Sequence, residues 1–326
     1  MIVLAGLILA VALPVRAELS ANYLYNLSDF NGPVASMWAR IAVDEEQGEI
    51  YTLDRSDSII GVYNETAMQT YSYGEGLSLS SAADITAGDD GDLFVLYRYP
   101  TVRVLHLDYR GRILDEIRIS STVPGNDSFK PDFIDYHVGK LYLAESVSMQ
   151  VLITRLDGQV ENIYDLRALV SDQIKERADS QKQNNAQLKK TREDLEDLAK
   201  ADLGGFSVDS HGNIYFTLST LFAAYRFNPN SKPEGFGIPG SAPGKFGVVA
   251  GICADSRGNI YVTDRLRSVV MIFDPDLSFL SEFGYRGVSL NNLLVPDDIA
   301  IDEQHQRIYV AQAANRGVSV FRLAMH

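Results

Sequence analysis

Apolar and polar residues alternate in short runs along almost the whole chain, and the runs pair up around tight polar turns. The clearest pair is Gly251-Ile252-Cys253-Ala254-Asp255-Ser256-Arg257-Gly258-Asn259-Ile260-Tyr261-Val262-Thr263-Asp264. Period-two alternation on both sides of a turn predicts two antiparallel strands with a buried face. Related pairs occupy residues 41–54, 85–97, 133–145, 206–217 and 299–312. The aromatic after each turn falls at Tyr51, Phe94, Tyr142, Tyr215, Tyr261 and Tyr309, giving spacings of 43, 48, 73, 46 and 48 residues. A repeat in the forties made of several short strands predicts propeller blades.

Each pair runs on into two further strands, at 268–274 and 279–284 in the fifth unit and at 102–108 and 113–119 in the second. The sixth unit stops after residues 317–323, one strand short. Near the other end of the chain, Asn22-Tyr23-Leu24-Tyr25-Asn26-Leu27 resembles the missing strand. Pairing the two ends leaves no open sheet edge. The expected fold is all-β: a six-bladed propeller of four-stranded antiparallel blades over residues 18–326, closed by the N-terminal strand completing the last blade.

The long spacing between units three and four holds a segment, 165–203, rich in Gln, Lys, Glu, Asp and Ala. Leu166, Leu169, Val170 and Ile174 recur at helical intervals. Gln183-Asn184-Asn185 predicts a break between two helices. Joining an outer strand to the next inner strand, this helical insertion is expected to emerge on the face that carries the channel-mouth residues. Its apolar stripe is the expected docking edge for a partner, or the underside of a lid.

Residues 2–15 are almost wholly apolar and Val15-Arg16-Ala17 fits a small-residue cleavage site, so residues 1–17 are read as an export signal, with a retained anchor as the alternative. That places the mature protein in the periplasm or outside the cell, with no stable membrane insertion after cleavage. Its 46% hydrophobic and 22% charged residues suit an ordinary buried core. The net charge of −14 argues against nucleic acid and anionic membranes as partners. One cysteine, Cys253, permits no intrachain disulfide and reads as a small buried side chain.

Gly244-Lys245-Phe246, the 251–264 pair, Val270-Met271-Ile272-Phe273-Asp274 and the run Val295-Pro296-Asp297-Asp298-Ile299-Ala300-Ile301-Asp302 together resemble the NHL-repeat family. The resemblance is strong in units five and six and loose in one to four. It implies a six-bladed scaffold that binds proteins, nucleic acids or glycans; a minority of related propellers are lyases or lactone hydrolases. The hydrolases hold a divalent metal in the channel with Glu, Asn and Asp. No equivalent set is present here, because the fourth and fifth units place Gly205 and Gly251 at the corresponding positions.

In such propellers the inner strands line a central channel. The residues at its mouth are then Arg40, Asp84, Phe133, Gly205, Gly251 and Asp298, with Asp132 and Asp297 one step earlier. Loops after the second strands add Arg55, Arg98, Arg265, Arg267 and Arg316. Carboxylates inside a rim of guanidinium groups suit an anionic or sugar-like ligand, or an acidic protein surface. The plainer reading pairs these charges with one another, Asp54 with Arg55 and Asp264 with Arg265. No catalytic residue and no cofactor are expected. The acids at the channel mouth suggest one metal, a calcium ion, and a channel enzyme would take Asp84, Asp132 and Asp298 as its metal ligands. His137, His211 and His305 sit at turns on the opposite face. The leading expectation is a non-enzymatic exported scaffold docking a protein or glycan on the face of the insertion. The alternatives are a metal-dependent lyase or lactonase in the channel, and a structural subunit of an envelope or extracellular assembly.

Overall fold

A computed structural model describes residues 19–325 except 120–122, 124, 125, 127, 181–184, 314 and 315; the segment read as an export signal lies outside the described residues. Six four-stranded antiparallel sheets are arranged in a ring. Their inner strands are Arg40–Asp44, Ala82–Ala87, Phe133–His137, Leu203–Val208, Val249–Ala254 and Pro296–Asp302. The ring closes as the repeat predicts. Leu19–Asn26 lies antiparallel to Val318–Met325 as the outer strand of blade six, with Leu19 opposite Met325 and Asn26 opposite Ser319. Tyr23 packs its edge on the buried Phe321 at 5.8 Å between ring centroids. Among the described residues no helix is long and apolar enough to cross a membrane.

The recurring tyrosine has a physical reason. In blade five, Asp255 accepts the backbone amides of Arg257 and Asn259 through one oxygen and the Asn259 side chain and Tyr261 hydroxyl through the other. Asp209 does the same for His211, Asn213 and Tyr215 in blade four. The aromatic body fills the core while its hydroxyl reaches the turn that begins the strand. Gly258 sits in that turn at φ 85°; its counterpart in blade six, Gln306, adopts φ 56° as a non-glycine.

The insertion forms two helices, α1 (Leu166–Ser180) and α2 (Asn185–Leu198). The residues read as the break, Gln183 and Asn184, lie outside the described residues, and Asn185 begins α2. The hairpin does not cover the channel, and its stripe is not free for docking. Leu166 and Val170 are fully buried among Met149, Val151, Phe216, Tyr225 and Phe227, with Leu169 and Ile174 packed against the same cluster. Adjacent blades splay apart as they leave the axis, and the hairpin fills the wedge between blades three and four. The outer strand of blade four, Glu234–Phe236, has only three residues, which leaves that flank open to the helices. Gln173 donates to the Pro233 carbonyl at 2.6 Å and Glu176 pairs with Lys232 at 2.7 Å. Both contacts lie at the turn between the last two strands of blade four, on the face opposite the channel mouth, so α1 runs down the flank. Arg167 ties the two ends of the insertion by donating to the carbonyls of Leu198, Ala201 and Val147.

Leu166→Ala is therefore expected to lower the unfolding free energy by about 2–5 kcal/mol, measured by urea denaturation. An unchanged midpoint would return the stripe to the surface.

Candidate functional site

The inner strand of each blade pairs on one side only, so its other amides point to the channel or the neighbouring blade. Three carboxylates meet such amides. Asp298 of blade six accepts Ile41 of blade one at 3.0 Å, Asp84 of blade two accepts Ile134 of blade three at 3.0 Å, and Asp135 of blade three accepts Val208 of blade four at 2.7 Å. The second oxygen of each accepts the amide of the following residue, Ile299, Ile85 or Tyr136, and that of Asp135 also accepts the Thr86 hydroxyl. From blade four to blade six the strands approach too closely for any side chain. A Cβ on Gly205 would stand 2.3 Å from the Ala250 carbonyl oxygen, and one on Gly251 would stand 2.6 Å from that of Asp297. Thr217 donates to the Ala250 carbonyl and Thr263 to those of Gly251 and Asp297. Blades one and two meet through Arg40, whose Nε lies 3.9 Å from Asp84 Oδ1.

All six inner strands line the channel, a cavity of about 240 Å³. Burial raises the carboxyl pKa values of Asp84 and Asp298, each partly offset by Arg40. Burial also lifts Asp135 to about 6, against its two amide donors. For Arg40 burial opposes the charge, and the carboxylates of Asp298, Asp84, Asp297 and Asp132 outweigh it and hold the guanidinium protonated. Burial drives the Cys253 thiol up, as befits a packed, unreactive side chain.

Around the mouth, Arg98 of blade two pairs with Asp132 of blade three at 2.5 Å. Arg265 of blade five forks onto Asp297 of blade six, with Nε at 2.7 Å. These two boundaries are three blades apart, hence on opposite sides of the axis. An aromatic ring stands beside each pair: Tyr99, 53% exposed, next to Arg98 and Lys130, and Trp38, 38% exposed, with Arg265 5.7 Å from its ring centroid.

The structure thus brings Arg40, Asp84, Asp298, Asp132, Arg98 and Arg265 together at the mouth. The remaining rim arginines are elsewhere. Arg267 bonds Glu282 and the Lys245 carbonyl within its own blade. Arg316 donates to the carbonyls of Ser289 and Asn292, and Arg55 is exposed on its loop. Neither proposed neighbour pair forms. Asp54 accepts the amides of Ser56 and Asp57, and Asp264 clamps those of Gly247, Val248, Leu266 and Arg267. The sequence reading missed Asp135, which lies deeper on its strand than Asp84, and Trp38, which belongs to no repeat; both Trp38 and Arg40 lie on the approach to one inner strand. Among the described residues no group of three or more His, Cys, Asp or Glu could hold a metal ion. The acids at the mouth fit backbone amides and guanidinium groups better than a calcium ion. His106 is stacked on Phe94 and bonded to Asp92, and His305 is bonded to Asp302.

No family model and no curated protein matches the sequence. Solved structures do. A protein of unknown function from Bacteroides thetaiotaomicron aligns with a TM-score of 0.64 at 14% identity, over 94% of this chain and 77% of its own. A gluconolactonase from Xanthomonas campestris gives 0.58 at 11% identity, over 94% and 90%. A catalytically inactive virginiamycin B lyase from Staphylococcus aureus with quinupristin gives 0.56 at 14% identity, over 95% and 100%. At these identities the likeness is one of fold: a six-bladed propeller.

Because Asp135 binds its proton more tightly folded than unfolded, its stabilising contribution is present below about pH 4 and lost as pH rises through about 6. Wild type should therefore lose roughly 1–3 kcal/mol relative to Asp135→Asn between pH 4 and pH 7, the channel water moderating the effect. Parallel stability–pH curves would contradict this.

Proposed function

We propose that this chain is a non-catalytic binding propeller that takes a protein or glycan partner at the channel mouth. The observation that carries the reading is the disposition of the buried acids. Asp84, Asp135 and Asp298 each hold two backbone amides, across a blade boundary and along their own strand, so their role is accounted for by the ring itself. The histidines that a channel lyase would recruit are bonded elsewhere, as His106 and His305 are. What faces solvent above the acids is a rim of two opposed ion pairs with exposed aromatics, a surface suited to recognition. The NHL-like repeat of blades five and six accords with a scaffold, and the apolar N-terminal run accords with work outside the cytoplasm. The working surface is the mouth rather than the helical hairpin, whose stripe is buried.

A second reading keeps the channel as an enzyme centre. It is favoured by structural neighbours that include a gluconolactonase and a lyase, and by Asp84 standing beside Arg40 with a raised pKa.

The two readings separate experimentally. Under the scaffold reading, Trp38→Ala combined with Tyr99→Ala weakens binding of a co-purified partner by about tenfold or more, with melting temperature within about 2 °C of wild type. Under the enzyme reading, the purified protein carries a stoichiometric divalent ion, and Asp84→Asn abolishes a lactonase or lyase activity. That second outcome would overturn the proposal.

A further inference from the structure

The guanidinium of Arg40 stands at the mouth with its donors unused. Among the described residues it donates no hydrogen bond. The carboxylate oxygens beside it, Asp84 Oδ1 and Asp297 Oδ2, stand off at 3.9 Å, and the ring of Phe133 lies 5.4 Å from it. Its side chain is 19% exposed, open enough for a ligand yet too enclosed to be fully hydrated. A guanidinium carries five N–H donors, and in such a place they call for acceptors.

The surrounding charges restrict what can supply them. Arg98 is matched by Asp132 and Arg265 by Asp297, which leaves Arg40 flanked by Asp84 and Asp298. An anion drawn to Arg40 would meet the carboxylates of Asp84 and Asp298, with Asp135 deeper in the channel, in a setting of weak screening, and a cation would lie against the guanidinium. A neutral group that both donates and accepts meets neither penalty. Each carboxylate oxygen of Asp84 and Asp298 accepts one amide at close range and retains a lone pair for a further donor. Hydroxyl groups have this dual character. The apolar C–H face of a sugar ring also suits the exposed rings of Trp38 and Tyr99, which stand on opposite sides of the mouth. The channel beneath, about 240 Å³, is smaller than the roughly 300–1,000 Å³ of pockets that engulf larger ligands. It begins at Asp84 and Asp298, inward of Arg40, and is too small to engulf an extended chain, so a chain would approach it by its end.

We infer that the channel mouth binds the end of a neutral glycan, with sugar hydroxyls bridging Arg40 to Asp84 and Asp298 and a ring face against Trp38 or Tyr99. This rests on the scaffold reading above and names its ligand class.

Trp38 is the only tryptophan in the chain, so intrinsic fluorescence reports on the mouth directly. The full mature protein is titrated with neutral trisaccharides of glucose, mannose, xylose and N-acetylglucosamine, each to about 10 mM, and with phosphate, glucuronate and spermine. At least one neutral sugar should give a saturable change in emission, weakened about tenfold in Arg40→Gln. Should Arg40→Gln fold poorly, Tyr99→Ala, at an exposed position, should weaken the same titration severalfold. No saturable change with any of the four neutral sugars overturns the inference. So does an affinity unchanged from wild type in both variants. Saturation by phosphate or glucuronate alone overturns the ligand class while leaving the mouth as a binding site. If the Trp38/Tyr99 double variant also keeps its co-purified partner, the scaffold reading falls as well.

Discussion

Every blade presents the unpaired edge of its inner strand to the channel, where amides need acceptors and carbonyls need donors. An unmet buried amide costs about 1–3 kcal/mol, and six strands converge where no further strand can be added. The chain meets this need in two ways. On one side of the ring, carboxylates reach from one inner strand to the next, Asp298 to Ile41, Asp84 to Ile134 and Asp135 to Val208. On the other, Gly205 and Gly251 let backbones approach so closely that threonine hydroxyls from the second strands finish the contacts. The central acids are thus first a solution to ring closure.

That solution shapes the chemistry of the mouth. Burial raises the pKa values of these acids, so each is held at some cost in its ionised form, and Arg40 is the cation that tempers two of them. The ion pairs Arg98–Asp132 and Arg265–Asp297 cross blade boundaries just above. They fasten the rim and leave the single guanidinium of Arg40 facing the carboxylates of Asp84 and Asp298.

The repeat was legible because each unit buries an aromatic just after its first turn, and in blades four and five an Asp of that turn holds the tyrosine hydroxyl. Chain closure by the N-terminal strand was legible for a similar reason, since the sixth unit lacked a strand and residues 22–27 had the right alternation. Arg40, Asp84 and Asp298 could be placed at the mouth from repeat register alone. Asp135 could not, since it lies one pleat deeper than the repeat suggested. The first turn into the inner strand is also bulged in blades two, four, five and six, at Asp84, Gly205, Ile252 and Asp298, and side-chain direction there depends on geometry that spacing does not encode. The helical stripe of Leu166 and Val170 was read correctly as apolar, but its partners, Met149 and Phe227 among them, belong to two different blades. Only the folded ring brings those surfaces to one wedge.

The most direct test of the carboxylate clasps is residue-resolved amide hydrogen exchange on the native protein at Ile41, Ile134 and Val208. None of these amides is satisfied by the ladder of its own blade, so any protection must come from Asp298, Asp84 and Asp135. The account predicts exchange at all three as slow as that of the paired core strands, and specific acceleration at Ile41 in Asp298→Ala. Exchange at the rate of the connecting loops would show that the acids do not hold the ring, and would free them for some other role.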